Sequence, residues 1–196
     1  MPIRRHGAEL KGGKSMPNNP TATIHRAGKS DLESIRGILN FYIETTPCLW
    51  SDTPRNGREM ARMYRSHQYS DRTPLMVAKI GREVAGFSAL SFVSSYEGWR
   101  KVAEDMVYLH PEYTGQGLGR QLLEAVMLRG HQTGLFAVIA KIDAENAASL
   151  ALHRAFGFEE CGVLRDVGIK FGQRRSCVQM IYYYNRTAPD PVSILP

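Results

Sequence analysis

The sequence predicts an α+β fold, a single domain with helices flanking one mixed sheet. Three observations carry this prediction. The chain has 196 residues and 43% hydrophobic content, which suits one sizeable core. Apolar strand-like and amphipathic helix-like runs follow one another as β-α-α-β-β-β-α-β-α-β-β, too irregular for a purely parallel sheet. A glycine-rich turn, Gly115-Gln116-Gly117-Leu118-Gly119, joins one strand to one helix.

Residues 1–22 are rich in Gly, Pro, Asn and Lys, lack apolar periodicity, and read as a mobile extension. The domain is expected over 23–186, with 187–196 as a tail. Structure begins near Ile24. Ser30-Asp31-Leu32-Glu33 has the form of a capping box, with the Ser30 hydroxyl accepting from the Glu33 N–H. It opens a helix in which Leu32, Ile35, Ile38, Leu39 and Tyr42 recur at helical spacing, ending before Pro47. A more polar helix follows over 56–67. The β-rich runs 75–80 and 83–93 meet at Gly81-Arg82, a hairpin signal. Residues 102–109 form another strand. In the helix over 118–130, Leu118, Leu122 and Val126 share one stripe, and Gly130 or Gly134 ends it. A β-prone run at 135–142 precedes a helix over 147–156, which stops at Gly157. Two strands, near 160–168 and 177–184, complete the domain.

The glycine turn is the segment most suggestive of chemistry. Alternate glycines let the backbone curve closely round an anion. A helix starting there aims unpaired N–H groups and a positive dipole end at it. Arg120 adds a formal charge, so a phosphate or pyrophosphate is the expected ligand. A Walker A loop needs Lys then Ser/Thr after the last glycine, and here Arg120-Gln121 follow. A dinucleotide fingerprint needs Gly-x-Gly-x-x-Gly, which this spacing also fails.

Several classes are disfavoured. No apolar run reaches the roughly 18 residues of a membrane span. The basic N-terminus has no apolar segment behind it, so no secretory signal is expected. Cys48, Cys161 and Cys177 show no paired spacing and no zinc pattern, which fits reduced thiols in a cytoplasm and no metal. The net charge is +6, but Arg4, Arg5, Lys11 and Lys14 lie in the extension and the rest is scattered. Without a basic stripe interleaved with aromatics, nucleic-acid binding is not expected.

Strand, Gly-x-Gly-x-Gly, helix, strand, then Asn146-Ala147-Ala148-Ser149 on a short helix ending Gly157-Phe158, in that order, resembles the GNAT superfamily of acetyl-CoA-dependent N-acetyltransferases. Further segments resemble its phosphinothricin/methionine-sulfoximine N-acetyltransferase branch: Asn40–Thr46, Glu104–Leu109, Leu152–Phe158 and Gly168–Gly172. The resemblance spans about residues 23–184. It implies a twisted mixed sheet, splayed so that acetyl-CoA enters between strands 102–109 and 135–142. It also implies that Gly115, Gln116, Gly117, Leu118, Gly119 and Arg120 hold the pyrophosphate. Val107, Tyr108 and Leu109 would pair with the pantetheine arm as an added strand. Asn146 and Ser149 would sit beside that arm.

Amine acetylation needs a base for the ammonium, donors for the oxyanion and an acid for the thiolate. The resemblance places the catalytic carboxylate at Glu104. Asp105, one residue on, faces the opposite side of the strand and is expected to be structural. His153 falls where many relatives carry the residue that protonates the thiolate. Asn146 is also a favoured N-cap. The acceptor loop is expected at Ser95, Tyr96, Glu97, Trp99 and Arg100, with Arg100 for a carboxylate and the rings for a side chain. This loop departs from the branch pattern, as does Val102, where the branch carries Thr.

The expected function is direct acetyl transfer to the α-amine of a small amino acid or analogue. Other amines, namely a polyamine, an antibiotic, a protein N-terminus or a lysine, and a non-catalytic acyl-CoA sensor are the alternatives. A homodimer is expected from the resemblance.

Overall fold

The computed structural model describes residues 22–68 and 70–185. The extension expected over 1–22, but for its last residue, and the tail expected over 187–196 lie outside the described residues.

The elements run β1 (Thr23–Arg26), α1 (Leu32–Thr45), α2 (Gly57–Gln68), β2 (Leu75–Ile80), β3 (Glu83–Phe92), β4 (Val102–Leu109), α3 (Leu118–Gln132), β5 (Ala137–Asp143), α4 (Ala147–Phe156), β6 (Glu159–Lys170) and β7 (Gln173–Tyr183). One sheet holds all seven strands in the order β1-β2-β3-β4-β5-β7-β6. Every neighbouring pair is antiparallel except β4–β5. That parallel pair has only three register positions, Val102↔Ala137, Ala103↔Val138 and Glu104↔Ile139. Past Glu104 the two strands part, while β4 stays paired with β3 as far as Leu109. The expected splay is therefore present.

Strand alternation sends apolar side chains to both faces, and helices cover each. On one face α3 and α4 bury Leu123, Val126, Met127 and Leu150 against Ala103, Val138 and Met180. On the other, α1 and α2 bury Ile35, Ile38, Leu39 and Met60 against Val77, Phe87 and Ala89. Leu32, Ile35, Leu39 and Tyr42 are thus core contacts, as their spacing predicted.

Three local expectations are corrected. Ser30 does not cap α1: a short 3-10 turn over Lys29–Asp31 comes first. The Asp31 carboxylate accepts from Gly28 N–H (2.9 Å) and pairs with Lys79 Nζ (2.5 Å), while Glu33 turns to Arg36. The buried Asp31–Lys79 contact outweighs an exposed capping box. Gly130 does not end α3. The helix runs on to Gln132, and left-handed Gly134 (φ +78°), the other stop the sequence offered, follows it; residue 130 is glycine because Leu90, Leu135 and Tyr184 pack too closely for a side chain there. The last two strands are longer than expected and form a tight hairpin, whose turn residues Phe171 and Gly172 both have positive φ, +51° and +73°.

Candidate active site

The glycine turn has the backbone geometry that an anion seat needs. Gly115 and Gly117 take left-handed backbone angles, φ +73° and +79°, and Gly117 is the N-cap of α3. The N–H groups of Leu118, Gly119 and Arg120 are then the unpaired first-turn donors of the helix. Gly115, Gly117 and Arg120 are exposed, whereas Leu118 is buried and anchors the turn. Gly119 is helical, and a Cβ there would meet Leu152 and Leu109 at ordinary contact. Packing therefore leaves room for a side chain at that position.

Beside that seat lies the free edge of β4. His110 N–H donates to Ala85 O on β3. By alternation the backbone groups of Tyr108 also face β3, and those of Val107 and Leu109 face the opening. Tyr42 hydroxyl donates to Leu109 O (2.9 Å) across this edge. The expected pairing segment therefore narrows from three residues to two.

Glu104 sits at the last paired position before the opening, on the α1/α2 face with Met106 and Tyr108. Its carboxylate accepts from Lys141 Nζ of β5 at 2.8 Å and stays part-exposed. Ser91 lies directly across from it on β3. Ser91, Met106 and Tyr108 also line a cavity of about 460 Å³ whose other walls come from α1, α2 and the segment between them. Burial, then the nearby Cys48, pushes the Tyr108 hydroxyl well above the usual tyrosine range, so it remains a neutral donor.

Asp105 points to the other face, as alternation predicted. It accepts from His153 Nε2 at 3.0 Å, and the pair is almost wholly buried. His153 Nδ1 donates to Ser149 O at 2.7 Å. Burial pulls the imidazolium down, but the Asp105 carboxylate and the Ser149 carbonyl outweigh it and hold His153 above its ordinary value. Asn146 caps α4, accepting from Ser149 N–H at 3.1 Å.

The family comparison decides what these parts belong to. Residues 38–158 match the model of the acetyltransferase (GNAT) family. The chain is a GNAT acetyltransferase. It is 34% identical over 153 residues to an L-methionine sulfoximine/L-methionine sulfone acetyltransferase of Pseudomonas paraeruginosa, covering 78% of this chain and 89% of that one. A phosphinothricin acetyltransferase of Sinorhizobium meliloti, solved with acetyl-CoA, superposes with TM-score 0.80 at 32% identity, covering 83% and 88%. A ribosomal-protein-alanine N-acetyltransferase of Brucella melitensis superposes with TM-score 0.79 at 33% identity, covering 82% and 99%.

This GNAT enzyme is an N-acetyltransferase with acetyl-CoA as donor. Its own residues fit that cofactor: a positive-φ glycine seat with exposed Arg120 at one end of an unpaired strand edge suits pyrophosphate and an amide-bearing arm. Among the described residues no group of three or more His, Cys, Asp or Glu could hold a metal ion, and no helix is long and apolar enough to cross a membrane.

The glycine turn follows the free edge of β4, and Glu104 lies further back on the same strand at its last position paired with β5. The loop residues Ser95, Tyr96, Glu97, Trp99 and Arg100 do not line the cavity. Tyr96 and Trp99 are exposed, and Arg100 Nη1 donates to Glu97 O within the loop. Sequence reasoning missed Lys141 as the partner of Glu104, and Arg55 and Arg62 as lining residues of the cavity. Lys141 had a signal, since a lysine inside a β-prone run resembles Glu104 in being out of place. Arg55 and Arg62 stood among many exposed charges, and only the packing of α2 and of the segment before it brings them to the cavity.

The Gly168–Gly172 segment proves to be a clamp. A Cβ on Gly168 would lie 2.4 Å from the Trp50 ring, so only glycine lets the two pack. Trp50 Nε1 donates to Asp143 (2.9 Å), and Lys170 Nζ donates to Ile43 O (2.6 Å) and to Ser51 O. Together they fasten the α1–α2 segment, one wall of the cavity, to the sheet.

Proposed function

We propose that this enzyme acetylates the α-amine of a small amino acid or analogue, of the methionine sulfone, methionine sulfoximine or phosphinothricin kind, by direct transfer. The observation that carries this reading is the position of Glu104, the last paired residue before the unpaired β4 edge, whose cross-strand neighbour Ser91 and same-face neighbour Met106 line the cavity.

Acetyl-CoA supplies an activated acetyl thioester when bound. In this reading Gly115, Gln116, Gly117, Leu118, Gly119 and Arg120 take its pyrophosphate. Val107 and Leu109 offer edge N–H groups to the arm and to developing negative charge. Asn146 and Ser149 flank the arm from the start of α4. Glu104 accepts the ammonium proton, directly or through one water, while Lys141 holds the carboxylate in place. His153 has both ring nitrogens engaged, so its part is to hold Asp105 and α4, and it has no free ring N–H to offer a leaving group. The loop 95–100 then acts as the outer wall of the site and not as its carboxylate reader.

We also propose a cytoplasmic homodimer. Cys161 is an exposed free thiol, which suits a reducing compartment. The edge strand β6 leaves Val163, Leu164, Val167 and Ile169 exposed, apolar surface that a second copy would cover.

The test is thiol release from acetyl-CoA against methionine sulfone, methionine sulfoximine, phosphinothricin, the standard amino acids, polyamines and short peptides. Turnover of an amino-acid acceptor is expected, with Glu104→Gln lowering kcat by about 10²–10⁴-fold while calorimetry still registers acetyl-CoA binding. Turnover of peptides alone would assign a protein N-terminus as acceptor instead.

A further inference from the structure

Resting on the amino-acid reading above, we propose that the acceptor's carboxylate is taken by Arg55 and Arg62, at the rim of the cavity beside Glu104, and its side chain by the methionine-lined wall below them.

The cavity is built largely by one face of α2. Glu59, Met60, Arg62, Met63, Ser66 and His67 line it, at the spacing of a single helical face. Its charges are unequal. Arg55 and Arg62 are both exposed at its edge, and Glu59 is the one carboxylate among its lining residues. Glu59 is also largely committed. Its Oε2 accepts from Asn56 N–H (2.9 Å), and Asn56 Oδ1 accepts from Arg58 and Glu59 N–H in return, which closes a capping box at the start of α2. Its other oxygen meets Arg55 only at 3.4 Å, and Arg62 acts on it through space without an ion pair. Two guanidinium groups therefore share one carboxylate already used as a cap, leaving donor capacity for a second one.

Arg55 is held where it can serve. Asn40 of α1 takes its backbone on both sides, donating to Arg55 O (3.0 Å) and accepting from Arg55 N–H (2.7 Å). Fixing this backbone from α1 aims Arg55 at the cavity, although the segment carrying it has no regular structure.

Glu104, paired with Lys141, adds no net charge on the same side. The site as a whole is then positive by one, which suits a zwitterion whose ammonium reaches Glu104 and whose carboxylate reaches the rim. It disfavours polyamines and lysine side chains. Leu39, Leu49, Met60, Met63 and Met106 supply apolar, adaptable walls, so the favoured side chain is uncharged and of medium length.

The test compares L-methionine sulfone with its α-amide, which keeps the amine and side chain but lacks the carboxylate. For the wild type, kcat/KM should favour the acid. In Arg62→Met and Arg55→Met the acid-over-amide ratio should fall by about 10–100-fold, mainly through KM for the acid. Arg62→Lys should recover part of it. Both positions are exposed, and acetyl-CoA binding by calorimetry reports that each variant is folded. An unchanged ratio in both Met variants would overturn the carboxylate assignment alone. A folded wild type that turns over no amino acid would overturn it together with the reading on which it rests.

Discussion

His153 and Asp105 form a charged pair with almost no water around it, so their protonation is coupled to folding. The folded His153 stays protonated to higher pH than its ordinary 6.5. Its contribution is therefore fully present below the unfolded value and lost as pH rises through the raised folded value. Urea unfolding should show stability declining from about pH 6.5 upward, and His153→Gln should remove that decline. Removing one partner of a buried pair exposes the full cost of the other, so Asp105→Ala should cost about 3–5 kcal/mol. Were the two variants as stable as the wild type and equally flat with pH, the pair would carry no such weight. At the same scale Glu104 differs in kind. It is part-exposed and paired with a flexible lysine, an arrangement worth little for stability and suited to a group that must exchange a proton.

At the scale of elements, the cofactor seat depends on backbone angles more than on side chains. Gly117 is left-handed at the N-cap of α3, and a Cβ there would meet nothing within 4 Å. Gly117→Ala should thus act through strain alone, about 1–2 kcal/mol for a left-handed residue, or relaxation of the turn away from its anion-binding shape. Calorimetry should find acetyl-CoA binding weakened about tenfold, with the unfolding midpoint lowered. An alanine variant that binds as tightly as the wild type would show that the turn's shape is not what holds the cofactor. The Phe171-Gly172 turn has another task. It aligns β6 and β7 so that Gly168 and Lys170 face the α1–α2 segment, and one wall of the cavity is held by a hairpin more than 100 residues further along the chain, Lys170 bonding Ser51 across 119 positions.

At the scale of the whole molecule, the exposed apolar surface on β6 is the feature a monomer explains least. Val167 and Ile169 are 54% and 67% exposed on an edge strand, a pattern single soluble domains usually blunt. Light scattering should give the mass of two chains for the wild type and of one for Val167→Asp/Ile169→Lys, with helix content unchanged. A monomeric wild type would remove the dimer. Most of the architecture was legible in the sequence, because periodicity, hairpin turns and helix stops are local: the order of elements, the Gly81-Arg82 turn, the end of α4 at Gly157 and the strand–glycine–helix unit all stand where their residues placed them. Alternation also separated Glu104 from Asp105 correctly, since neighbouring strand residues must face opposite ways. The sequence by itself therefore determined the fold class, the glycine turn that opens α3 and the strand that carries Glu104. Only the tertiary structure decided the rest. It brought Lys141 to Glu104 across 37 residues and His153 to Asp105 across 48, and it made one face of α2 a wall of a cavity that the loop at 95–100 does not line. Those outcomes depend on which helix packs over which strand. No local pattern encodes that choice, because it is made by the burial of apolar faces summed over the whole core.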